Sequence, residues 1–177
     1  MWNKNQQSGL LNDFDLAVLQ DINIGKHITA NHGKRTGTLP FMALGLLTKK
    51  YYNGRIECQY HHELESFIWV LTWLCLYDAG DNVKEKLAKW KTRYYDHLLA
   101  RKLYFIQDSM DIMPKSGFEK LWDINHELLL WVGRQNTPSY WTRHKETIKK
   151  SEYLYKDMED IMEKAEREYN FNLDNVD

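Results

Sequence analysis

Eleven consecutive residues, Phe67 to Tyr77, contain one polar side chain, Thr72. Leu64, Phe67, Ile68, Leu71 and Cys75 recur at the i, i+3, i+4 spacing of a helix stripe. Trp69, Val70, Trp73 and Leu76 make the remaining faces apolar as well. A helix apolar all round belongs inside a protein or a membrane, and this run falls short of the roughly 18–20 residues that cross a bilayer. The spacing therefore predicts a buried central helix over Tyr60–Tyr77, with the rest of the chain packed around it.

The chain has 177 residues, enough for one domain with a real core, and 43% of them are hydrophobic. Seven Trp and eleven Tyr predict a core built from large units. A net charge of −1 argues against a nucleic-acid or acidic-membrane partner recruited by bulk charge. Cys58 and Cys75 have no disulfide-framework spacing, which fits free thiols in a reducing compartment. The opening Met1–Gln7 is polar with no apolar run behind it, so no signal peptide is expected. The expected location is intracellular, cytoplasm or nucleus.

Taken in order, Gly9–Leu19 reads as a short strand interrupted by an acidic turn. Gln20–Arg35 is polar and aperiodic, a loop longer than compact domains usually carry. Pro40 closes it, Leu44–Lys50 reads as a helical turn, and Asn53-Gly54 marks a second connection. The central helix is expected to stop near Gly80 as its C-cap. One stripe follows on Val83, Leu87, Trp90, Tyr94 and Leu98. A second, with Ser116 as N-cap, runs over Phe118, Leu121, Trp122, Leu128, Leu129 and Val132. The last comprises Ile148, Tyr155, Met158, Met162, Ala165 and Tyr169, with charged residues on its other faces. The fold class is mainly α, with a small strand element at the N-terminus.

Three pieces stand in a fixed order: Asp13-Phe14-Asp15 after a strand, a long loop closing in Gly37-Thr38-Leu39-Pro40-Phe41-Met42-Ala43, and the apolar helix. An aspartate at a strand end can hold Mg²⁺ against phosphate oxygens. Taken alone, Asp13 and Asp15 are as well explained as turn residues. In this order the chain resembles the C-terminal lobe of a eukaryotic protein kinase, specifically the fungal-type protein kinase family. Asp13–Ala17 resembles that family's Asp-Phe-Gly motif, Arg35–Ala43 the end of its activation segment, and His61–Leu71 the start of its long buried helix. The resemblance covers residues 9 to 80, and the helical remainder, 83 to 170, agrees with it without singling it out. It implies one partial kinase-like domain over 1–177.

The resemblance also implies roles. Asp13 becomes the Mg²⁺-binding aspartate of the ATP site, and Phe14, beside it in that site, packs against the helix scaffold and reports active or inactive arrangements. Thr38 becomes the threonine at the segment's close. Thr36, with Thr29 and Thr38, is a hydroxyl that a phosphate can modify. Glu63 stands where kinases carry the aspartate that braces the catalytic loop. Gly45 stands where the Glu of the Ala-Pro-Glu stretch is expected, so the usual anchoring ion pair of the segment has no carboxylate there. No His-Arg-Asp triplet, Gly-rich loop or strand Lys occurs. The family's activity, ATP-dependent transfer of phosphate to protein Ser/Thr, is therefore not expected of this chain alone. The expectation is a fragment of a longer kinase, with a protein substrate or the missing N-lobe as partner and no catalytic residue of its own. The alternative is a non-catalytic helical interaction module. Either way, an exposed apolar patch is expected.

Two weaker patterns complete the reading. Cys58-x-x-His61, with His62 and Cys75, has zinc-like spacing but no second matched pair. Arg134, Tyr140, Trp141, Arg143, His144, Lys145, Lys149 and Lys150 form a basic-aromatic patch that reads best as a solvated surface.

Overall fold

The computed structural model describes residues 2–3, 8–9, 38–49, 60–136 and 151–169. The chain divides into two units, Met1–Thr36 and Gly37–Asp177. In the first, β1 (Trp2–Asn3) pairs antiparallel with β2 (Ser8–Gly9), Trp2 opposite Gly9 and Asn3 opposite Ser8. The strand expected over Gly9–Leu19 lies outside the described residues apart from Gly9. So does the connection around Asn53-Gly54.

Helical periodicity governs the described part of the second unit. It holds α1 (Tyr60–Leu76), α2 (Asp81–Ala88), α3 (Tyr95–Gln107), α4 (Glu119–Gln135) and α5 (Ser151–Tyr169). The central helix thus forms within a residue of its expected bounds. It packs chiefly on α4, and also touches α2, α5 and the 3-10 turn at Leu39–Phe41. Ile68, Trp69, Cys75 and Leu76 of α1 share one core with Leu98, Phe105 and Ile106 of α3 and Leu128, Leu129 and Val132 of α4. Trp90 lies at its centre, edge-on to Trp69 (centroids 5.3 Å apart) and to Phe105 (5.0 Å). These are the T-shaped contacts that ring quadrupoles favour.

Burial of α1 on every side is not observed. Phe67 is 62% exposed and Leu74 53%, Val70 is exposed with them, and Tyr77, one residue past the helix end, continues the line. These residues lie three or four apart on one line, so a single face of the helix points outward while the opposite face is core. Thr72, the one polar residue of the run, is fully buried. Its hydroxyl donates to the Ile68 carbonyl (2.8 Å) and accepts from Asn125 Nδ2 of α4 (2.9 Å), so its polarity is satisfied inside the core.

The stripe from Val83 to Leu98 is two helices rather than one. Bonds from Trp90 N–H to the Leu87 carbonyl (2.9 Å) and from Thr92 N–H to the Trp90 carbonyl (2.8 Å) tighten the chain into a turn. That turn buries Trp90 and leaves Tyr94 exposed. Two expected caps also move. Gly80, at φ +113°, precedes α2 and its carbonyl accepts from Lys84 N–H (2.9 Å), so it opens α2 instead of closing α1. Phe118, not Ser116, is the N-cap of α4, preceded by Gly117 at φ +86°.

On α5, Ala165 is buried, Met158, Ile161 and Tyr169 pack against the core, and Met162 is exposed. Its described charged residues face solvent, as the pattern predicts. Lys164 reaches Glu127 (2.8 Å) and Tyr169 Oη donates to Asp123 Oδ2 (3.0 Å), pinning α5 to α4. No helix among the described residues is long and apolar enough to cross a membrane.

Candidate functional site

Between Thr38 and Thr48 the chain has no charged side chain, yet Met42, Ala43, Leu44, Leu46 and Leu47 are buried. Pro40 lies at the start of the first 3-10 turn, where its fixed φ suits the geometry, and a second turn covers Gly45–Leu47. The residues between the turns are extended or irregular, so their backbone groups need partners from elsewhere once buried.

Two helices supply them. Glu65 of α1 accepts the Leu44 N–H at Oε1 (2.7 Å), and the same oxygen accepts Trp69 Nε1–H (3.0 Å). Lys102 of α3 donates from Nζ to the Met42 carbonyl (2.6 Å). Its ammonium also sits over the Trp69 ring (4.2 Å to the centroid) and within 5.7 Å of that of Trp90. Both charged side chains are almost wholly buried. Burial raises the Glu65 pKa, opposed by the two N–H donors and the field of Lys102. Burial lowers that of Lys102 to about 7, opposed by Glu65. The N–H donors, the carbonyl and the aromatic faces all favour the ionised forms against that desolvation.

His62 closes the far side. A Cβ at Gly45 would lie 3.0 Å from His62 Nε2, so glycine leaves the room this imidazole occupies. The His61 and His62 rings are 4.0 Å apart. Burial, then the neighbouring His61, lowers the His62 pKa to about 3, and burial lowers that of His61 too. Gly45, the two histidines, Glu65, Trp131, Gln135 and Asn136 line a cavity of about 30 Å³, room enough for water. Trp131 Nε1 is buried there without a hydrogen-bond partner.

Of the residues singled out from sequence, Thr38 is exposed at the head of this segment, its carbonyl accepting from Phe41 N–H (2.9 Å). Glu63 is exposed in the first turn of α1 and makes no part of the buried contact, which Glu65 makes instead. Asp13, Phe14, Thr29 and Thr36 lie outside the described residues, and with them the expected Mg²⁺–ATP site. Cys75 is buried, its thiol pushed up to about 11 by burial, while Cys58 lies outside the described residues. Among the described residues no three His, Cys, Asp or Glu side chains converge on a metal-sized site. Arg134 is exposed, and the rest of the basic-aromatic patch is outside the described residues.

Sequence reading missed Glu65 and Lys102, although each left a signal. Glu65 is an acid inside an otherwise apolar helix face beside Leu64, Ile68 and Trp69. Lys102 falls on the line Leu98, Lys102, Phe105, Ile106, where only apolar side chains are expected. A charge on a core stripe calls for a buried partner.

The described unit is thus a helical one in which an uncharged segment is fastened by its backbone onto a central helix. The sequence model of the fungal protein kinase family matches residues 2–75, and over that stretch the chain is similar to the family. The match takes in Asp13-Phe14-Asp15, the Thr38 segment and nearly all of α1. No curated protein and no solved structure gives a match.

Proposed function

We propose that the chain is the C-lobe portion of a fungal-type protein kinase, whose complete form transfers phosphate from Mg²⁺–ATP to protein Ser/Thr. The observation that carries this reading is the family match ending in α1, with the Thr38 segment seated on that same helix. In it Asp13 holds Mg²⁺ and Phe14 packs beside the ATP site. Thr38 stands at the close of the activation segment. Phosphoryl transfer works by positioning and electrostatics across both lobes. A chain with no His-Arg-Asp triplet, Gly-rich loop or strand Lys is inactive by itself. On this reading its partner is a protein substrate or the missing N-lobe.

Mapping the transcript upstream of Met1 tests this. The expected result is an in-frame segment encoding a His-Arg-Asp loop and an N-lobe. In that longer product Asp13→Asn should lower phosphoryl transfer on the order of 100-fold, the cost of removing one main electrostatic contact. An upstream stop codon, or full activity of the Asp13→Asn variant, overturns the reading. The exposed Phe67, Val70 and Leu74 face favours a helical interaction module as the second reading.

A further inference from the structure

The segment from Thr38 to Thr48 contains no acidic or basic residue, so it cannot supply either half of an ion pair to hold itself down. Its buried anchoring points are main-chain groups, the Leu44 N–H and the Met42 carbonyl, two residues apart. Each is met by a charged side chain from a different helix. We infer that Glu65 and Lys102 are positioning residues that together latch this segment, and with it Thr38, to the helical core. The inference rests on reading that segment as the close of an activation segment.

The geometry gives the latch three properties. It grips backbone, so it adds to the packing of the buried Met42 and Leu44 side chains without calling for a polar side chain at either position. It draws one element from each side, because Glu65 belongs to α1 and Lys102 to α3, so the segment also ties those helices together. It is shielded by Trp69, which donates to Glu65 Oε1 while its ring lies beneath the Lys102 ammonium. Each side chain meets its main-chain partner in a place closed to water, so losing either one leaves the Leu44 N–H or the Met42 carbonyl buried without that hydrogen bond. Glycine at position 45 lets His62 pack directly behind the latched backbone.

Amide hydrogen exchange on the full chain tests the latch, read as the ratio of protection at residues 41–48 to that at residues 119–135 of α4. Glu65→Ala and Lys102→Met are each expected to speed exchange over 41–48 by on the order of 10-fold or more while α4 changes far less, the pattern of local rather than global opening. Glu65→Gln should keep the Leu44 amide protected, because a carboxamide oxygen can accept the same two N–H groups. If Glu65→Ala does not fold, Lys102→Met and Glu65→Gln give the comparison. Parallel loss of protection in 41–48 and 119–135 would make the pair an ordinary core element and overturn the inference. Unchanged protection over 41–48 overturns it equally. An upstream stop codon would remove the kinase reading without altering these amides, so the two fail separately.

Discussion

A methyl group added at position 45 would press on His62 Nε2 from 3.0 Å, closer than most side-chain carbons approach anything. The imidazole is itself hemmed in by the His61 ring. Gly45→Ala is therefore expected to destabilise the chain by about 1–3 kcal/mol, the usual cost of overfilling a packed site. His62→Ala makes room, so the double variant should be more stable than the sum of the two single losses predicts. Denaturant unfolding of all four proteins measures this, and strict additivity would mean the two positions do not press on each other. Sequence reading marked Gly45 only for the carboxylate it lacks. The reason for glycine, an imidazole 17 positions further on, is a tertiary contact with no local pattern.

At the scale of elements, α1 was legible in existence and extent because eleven nearly uniform apolar residues leave few alternatives. Its exposed face was not, because a helix apolar all round carries no periodic asymmetry to say which side meets solvent. The opposite holds for α5, whose charged faces announce themselves and are exposed. The break between α2 and α3 was hidden because Trp90 continues the stripe while sitting in a turn. The exposed line on α1 carries its own expectation. Replacing Phe67 and Leu74 together by Ser should change the unfolding free energy by less than about 1 kcal/mol, since exposed positions contribute little to stability. The same change should reduce binding of a hydrophobic dye and any self-association seen by light scattering. A large loss of stability would show that the line is covered in solution, and the outward face would have to be abandoned.

For the whole molecule, the family match runs from the first unit into the second and ends at Cys75, so the helices from α2 onward lie outside it and are known here by their packing. That packing includes buried titratable groups, and they set how stability follows pH. His62 has its pKa lowered to about 3 from 6.5, first by burial and then by His61, and His61 is lowered by burial. At His62 the folded chain thus binds less of a proton than the unfolded chain between these values, and this group's contribution to stability falls as pH drops from 6.5 towards 3. Glu65 acts in the opposite sense, because burial raises its pKa and the folded state keeps that proton to higher pH. Comparison with His62→Gln cancels the Glu65 contribution, since both proteins carry it. The stability of His62→Gln relative to the parent is expected to rise as pH falls through this window, by up to about 1.4 kcal/mol per pH unit for a single proton. Urea unfolding at several pH values reads this difference directly. A gap that stays constant from pH 6.5 to 4 would mean His62 takes up its proton as easily folded as unfolded, which a site closed by Gly45 and His61 should not allow.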